Sequence, residues 1–127
     1  MKYIKVFSLF IILHVAAWAG AHTYFNSNKE QILIVVDTSY SMKQKFPEIK
    51  QWIEDYESSA RYKNIMIGTD KAMLGKLSEL RRKEEIFRTA FGIMKEDNLK
   101  RYLNQKGKKI LLSDGVIAPE GWEIVDF

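Results

Sequence analysis

The chain contains no cysteine, and only two prolines and two histidines occur among its 127 residues. Without cysteine there is no disulfide, thiol nucleophile or thiolate metal ligand, so the fold must depend on its hydrophobic core. Both histidines, His14 and His22, lie in or directly after an apolar N-terminal segment. No histidine is left in the rest of the chain to act as the base of a serine hydrolase. The missing residue types therefore argue against nucleophilic catalysis.

Other patterns that would indicate an enzyme or a nucleic-acid-binding protein are also missing. The sequence has no Gly-x-x-x-x-Gly-Lys phosphate loop. Haloacid-dehalogenase phosphatases also begin with an apolar strand and an aspartate, here Asp37, but they need a second aspartate where this chain has Ser39. The net charge is only +4, with basic and acidic residues interspersed, which gives no footprint for nucleic acid. We expect a binding protein that is not an enzyme and does not bind nucleic acid.

The first 21 residues have the pattern of an export signal. Lys2 and Lys5 precede an almost wholly apolar run from Val6 to Gly20, and the Ala-Gly-Ala sequence at 19–21 resembles a small-x-small cleavage site. We predict a secretory leader, with an uncleaved signal anchor as the alternative, since a bilayer core needs roughly 20 apolar residues. If it is uncleaved, residues 1–21 would contact the membrane. In either case we expect the rest of the protein to be exported. It would be periplasmic or extracellular, or anchored in the cytoplasmic membrane and facing outward.

Residues 22–30 are predicted to be a spacer, and residues 31–127 a single α/β domain. The uninterrupted β-branched run Ile32–Val36 predicts a strand buried on both faces. From Met42 onward apolar residues recur at helical spacing, with Pro47 suited to a first turn. Alternating strands and helices predict a Rossmann-like, open, mostly parallel sheet flanked by helices. Further predictions are strands at 64–69, 109–112 and 122–127, and a mostly helical stretch at 71–105.

Side chains with oxygen atoms follow two predicted strands at their carboxyl ends. Asp37 directly follows the first strand, Ser39 and Ser41 alternate with it, and Asp114 follows the strand at 109–112. Ligands of open α/β sheets bind outside the carboxyl ends of the strands, so we expect these oxygens to lie at one edge. Carboxylates and hydroxyls suit Mg²⁺, Mn²⁺ or Ca²⁺. A helix cap would also explain the first two residues, but not the second acid.

Two motifs in this order resemble the von Willebrand factor A (VWA) domain and its metal-ion-dependent adhesion site (MIDAS). They are Asp-x-Ser-x-Ser at 37–41 and Leu-Leu-Ser-Asp-Gly at 111–115. The resemblance implies a further ligand from the intervening loop, which we map to Thr89 in Thr-Ala-Phe-Gly, with Thr69-Asp70 as the fallback. It also implies metal-bridged, reversible binding of a protein partner that offers a carboxylate to the ion. The implied metal ligands are Asp37, Ser39, Ser41, Thr89 and Asp114.

The chain departs from the VWA family in its length. Domains of that family generally continue through further strands and helices after the Asp-Gly strand, whereas this sequence ends one short strand later. The resemblance therefore implies an abbreviated domain, a domain completed by a partner chain, or the remnant of a longer VWA protein. An alternative function is a metal-free structural subunit of a cell-envelope assembly.

Overall fold

The structure is a computed structural model that describes residues 1–27, 29–60, 62–88 and 90–127. In these residues an N-terminal helix precedes a five-stranded sheet. The α-helices are α1 (Lys2–Ser27) and α2 (Phe46–Ser59). The strands are β1 (Glu30–Val36), β2 (Lys63–Thr69), β3 (Met73–Lys76), β4 (Lys108–Ser113) and β5 (Glu123–Asp126). Four 3₁₀ segments span Tyr40–Lys45, Leu77–Glu79, Lys83–Phe87 and Glu96–Tyr102.

The sheet has the strand order β3-β2-β1-β4-β5. β1 pairs in parallel with β2 and β4, β5 is parallel to β4, and β3 alone runs antiparallel at one edge. Val36, near the end of β1, is in register with Thr69 of β2 and Leu112 of β4. The carboxyl ends of the parallel strands therefore meet at one edge of the sheet, which we call the rim. The prediction of a mixed α/β fold with a mostly parallel sheet is confirmed.

The central strand is buried because both faces of the sheet are covered. Ile32, Ile34 and Val36 face a cluster that includes residues of α2, while Leu33 and Val35 face a second cluster. This alternation follows from the two-residue period of a strand. All five side chains are at most 2% exposed, as the continuous apolar run predicts. The first cluster includes Met42, Ile49 and Ile53, and the second includes Met94, Leu99 and Tyr102.

The prediction of a mostly helical stretch at 71–105 is wrong. β3 turns back along β2, and the rest of the described stretch contains 3₁₀ segments of three to seven residues and irregular chain. Leu77 and Ile86 still pack into the core from these short segments. A 3₁₀ turn places residues i and i+3 on one side, so the apolar spacing resembles that of a helix. Among the described residues, α2 is therefore the only α-helix that packs on the sheet.

Tyr102 connects the second cluster to the end of β2. Its side chain is 1% exposed, and its hydroxyl donates a hydrogen bond of 2.6 Å to the carbonyl of Thr69. A Cβ atom at Gly68 would lie 2.5 Å from that hydroxyl oxygen. Gly68 therefore allows the ring to reach the carbonyl, which explains a glycine at a buried position near the end of β2.

We expect the contribution of Tyr102 to stability to depend on alkaline pH. Burial raises the pKa of its phenol to about 12, whereas the unfolded chain titrates near 10. As the pH rises from 10 towards 12, the unfolded state loses this proton first, so the free energy of unfolding falls. Tyr102→Phe should cost about 1 kcal/mol at neutral pH and remove this part of the alkaline decline. Urea unfolding of both proteins in detergent tests this, and parallel pH profiles would contradict it.

Candidate metal-binding site at the strand ends

An aspartate stands at the end of each parallel strand that the structure describes. Asp70, Asp37 and Asp114 directly follow β2, β1 and β4, and Asp126 is the last residue of β5. Because these strands are neighbours in that order, the four aspartates follow one another along the rim. Only two of them, Asp37 and Asp114, are candidate ligands by sequence. The signal for Asp70 and Asp126 was the same one, an acid where an apolar strand ends.

The Asp37 carboxylate is buried, at 4% exposure, and lies at the end of the central strand. One of its oxygens accepts the backbone N–H of Ser39 at 2.9 Å and also the Ser39 hydroxyl. Burial raises the pKa of the Asp37 carboxyl, and the charges of Asp70 and Asp114 raise it further, while the hydrogen bonds from Ser39 lower it. Among the described residues no Lys, Arg or His nitrogen lies within 4.0 Å of this carboxylate. A cation at this point would offset the cost of the buried charge.

The Ser39 hydroxyl connects Asp37 to a second loop. Its oxygen accepts the backbone N–H of Met94 at 2.7 Å and donates its proton to Asp37. The neighbouring N–H of Tyr40 donates to the Gly92 carbonyl at 3.1 Å. A serine hydroxyl has two lone pairs, and only one accepts a hydrogen bond from protein here. Ser39 therefore keeps one lone pair for a metal ion, so its chemistry fits the predicted role.

Asp70 already has a cation as its partner. The Lys71 ammonium lies 2.9 Å from one Asp70 oxygen and 2.9 Å from both the carbonyl and the hydroxyl oxygen of Thr38. The other Asp70 oxygen accepts the Thr38 backbone N–H at 3.1 Å and its hydroxyl at 2.6 Å. Asp70 is 3% exposed. This pair therefore anchors the loop that follows β1, because Thr38 lies between Asp37 and Ser39.

The other predicted ligands are connected to Asp37 less directly than Ser39 is. Asp114 is exposed and accepts the Val116 N–H at 3.1 Å, although its charge reaches Asp37. Ser41 is exposed within the 3₁₀ segment after the loop. The hydroxyl of Thr69, the fallback ligand, accepts N–H groups of the turn after β2. Thr89 lies outside the described residues. Within the described ranges, no three Asp, Glu, His or Cys side chains form a metal-binding group.

Comparison with protein-family models, curated proteins and solved structures finds no match to this chain. The resemblance to the VWA domain rests on the two sequence motifs. The fold itself is a mixed α/β fold with a mostly parallel sheet and an apolar N-terminal helix.

Proposed function

We propose that the rim binds a divalent cation, Mg²⁺ or alternatively Mn²⁺ or Ca²⁺, and through it a protein partner. The observation that carries this proposal is the state of Asp37, a buried carboxylate with hydrogen-bond donors but no cationic partner among the described residues. Ser39 offers a lone pair beside it, and Asp114 follows the neighbouring strand. A bound ion would attract a carboxylate from the partner, so binding should be reversible and lost when the metal is chelated.

Exposed apolar side chains around the rim support a protein as the partner. Tyr40, Phe91, Ile93 and Val116 are 61–80% exposed, and we call them the apolar collar. Hydrogen bonds connect their loops to the candidate site. The Tyr40 N–H donates to the Gly92 carbonyl, and the Val116 N–H donates to the Asp114 carboxylate. Clustered exposed apolar residues beside polar groups are typical of protein interfaces. This arrangement favours a binding function over catalysis.

The N-terminal helix supports a location at or beyond a membrane. Its span Lys2–Phe25 has a mean hydropathy of 1.8 and is not buried against the domain, so it is long and apolar enough to cross a bilayer. We propose that the rim lies outside the cytoplasm. A module of the VWA type in this position would bind other proteins of the cell envelope or the exterior.

A metal-free structural role is the second candidate. The Lys71 ammonium already lies among oxygens of Asp70 and Thr38, and the Ser39 hydroxyl is hydrogen-bonded on two sides. The rim loops are thus held together by protein groups alone. In this case the apolar collar would bind a partner subunit without an ion.

Metal titration distinguishes the two functions. We expect Mg²⁺ or Mn²⁺ to raise the Tm of the full chain in detergent, because an ion that binds only the folded state stabilises it. At a metal concentration 100-fold above Kd, the gain should be about 2.7 kcal/mol. Differential scanning fluorimetry with and without a chelator measures the shift. No shift at saturating metal would favour the metal-free role.

Asp37→Asn is the matched variant for this titration, since it removes the charge and keeps the shape. Because the pKa of Asp37 is raised on folding, its ionised form costs stability at pH values above both the folded and unfolded pKa. The metal-free variant should therefore melt no lower than the wild type at pH 7, and it should lose the metal shift. Asp126→Asn, at the far end of the rim, should keep most of it. An equal shift in Asp37→Asn would place the metal elsewhere and refute the proposed site.

A further inference from the structure

The end of the sheet opposite the rim, where the parallel strands begin, is rich in lysine. This end of the sheet contributes five lysines, from the amino ends of β1, β2 and β4 with their adjoining loops and from the carboxyl end of the antiparallel β3. They are Lys29, Lys63, Lys76, Lys106 and Lys108, which we call the basic edge. A cleft of about 250 Å³ is lined by the first three of these lysines. Four aspartates thus follow one another along the rim, and five lysines lie at or near the opposite end of the sheet.

Part of this positive charge has no acidic partner among the described residues. The Lys63 ammonium nitrogen lies 3.9 Å from a carboxylate oxygen of Glu30, and that of Lys108 lies 2.8 Å from a carboxylate oxygen of Glu123. Glu57, which also lines the cleft, pairs with Lys83. The ammonium groups of the remaining three lysines have no carboxylate within 4.0 Å among the described residues, and all three are exposed. These three are Lys29, Lys76 and Lys106.

The apolar helix joins the domain at this same edge. α1 ends at Ser27 and β1 begins at Glu30, so the helix connects to the amino end of the central strand. A ring nitrogen of His22 lies 2.6 Å from the Tyr62 hydroxyl, and the Phe25 ring lies 5.5 Å from the Tyr62 ring. The Tyr62 carbonyl in turn accepts the Glu30 N–H at 3.0 Å. The end of α1 is thus in contact with the chain that forms the basic edge.

The length of α1 and the aromatic residues near its carboxyl end are those of a membrane anchor. The span Lys2–Phe25 covers 24 residues, about 36 Å of helix, which is enough to cross a bilayer core of about 30 Å. The helix continues past the Ala-Gly-Ala sequence at 19–21 without a break. Trp18, Tyr24 and Phe25 stand near its carboxyl end and are 49–69% exposed. Aromatic residues at this position are typical of the membrane interface.

We propose that α1 stays in the membrane and that the basic edge lies on the headgroups of an anionic phospholipid bilayer. The unpaired lysines match the negative charge of such a surface, and the anchor holds them close to it. β1 then leads away from the membrane, and its seven residues place the rim about 20 Å further out. The rim and its apolar collar face the surrounding solution. This inference concerns a different surface from the metal site and does not depend on it.

The absence of cysteine allows the orientation to be measured with single probes in the full chain. Gln105→Cys places a fluorophore beside the basic edge, and Val116→Cys places one at the rim. Both proteins are reconstituted in vesicles of equal parts phosphatidylcholine and phosphatidylglycerol that contain a nitroxide-headgroup lipid. We expect the label at 105 to be quenched several-fold more than the label at 116. The difference should shrink in phosphatidylcholine alone and at high salt.

Two triple variants with the same change of net charge separate the basic edge from charge in general. Replacing Lys29, Lys76 and Lys106 by Gln should reduce the quenching at 105, and replacing Lys43, Lys45 and Lys95, which lie towards the rim, should not. The proposal is overturned if the two labels are quenched equally, or if both triple variants behave alike. It is also overturned if the mass of the protein isolated from membranes shows that the first 21 residues are gone.

Discussion

Gly107→Ala is expected to lower the free energy of unfolding by about 3 kcal/mol or more. Gly107 precedes β4 with a φ of +89°, and a Cβ atom there would lie 2.2 Å from the carbonyl oxygen of Gln31. A side chain costs about 1–2 kcal/mol in that backbone conformation. The contact with rigid backbone adds to this, because β4 cannot keep its register with β1 unless the chain moves. Urea unfolding in detergent measures the loss.

Gly121→Ala is the control for this variant. Gly121 has a similar φ of +84°, but nothing lies within 4 Å of a Cβ atom built there. Gly121→Ala should therefore cost only the strain of that backbone conformation, about 1–2 kcal/mol. Equal losses in the two variants would show that the close approach of Gly107 to β1 contributes nothing. A larger loss at Gly107 would show that the close approach to the Gln31 carbonyl adds to the backbone cost.

The four parallel strands could be predicted because their signal is local. Runs such as Ile32–Val36 need no knowledge of their neighbours, and a buried strand requires an apolar residue at nearly every position. The segment 71–105 could not be predicted in this way. Its apolar residues pack singly onto the sheet from short 3₁₀ segments, and their spacing alone matches that of a helix. The hairpin of β2 and β3 depends on pairing between strands, including Met66 with Lys76, which is a tertiary property.

For the candidate site, too, the strand ends could be predicted from sequence and the loop contacts could not. Asp37 and Asp114 each follow an apolar run, and parallel strands necessarily bring their ends to one edge. The role of Asp70 was missed because it depends on Lys71 and Thr38, which come together only when β2 lies beside β1. Thr89 remains a prediction. Which oxygen atoms converge is decided by loop conformation, and motif spacing does not determine it.

The second large effect is expected at the pair formed by Asp70 and Lys71. Lys71→Met keeps the methylene chain and removes the ammonium, which leaves the Asp70 carboxylate, 3% exposed, with no positive partner among the residues that the structure describes. Removal of one partner from a buried ion pair typically costs 3–5 kcal/mol, and because the Lys71 side chain is still 19% exposed we expect about 3 kcal/mol. Urea unfolding measures this loss. The double variant Asp70→Asn/Lys71→Met should recover much of it, since it leaves no unpaired charge.

The same variants test whether this pair holds the proposed metal site in place. Thr38 receives hydrogen bonds from Lys71 and donates to Asp70, and it is the residue between Asp37 and Ser39. If the pair positions this loop, Lys71→Met should weaken Mg²⁺ binding as well as stability. The Mg²⁺-induced rise in Tm should then be smaller in the variant, because Asp37 and Ser39, the proposed ligands, would no longer be held together. The double variant should restore stability more completely than metal binding, since an Asn–Met pair cannot supply the ammonium contacts to Thr38. A single variant as stable as the double would show instead that solvent screens the Asp70 charge and that the loop is held by Ser39 and Met94 alone.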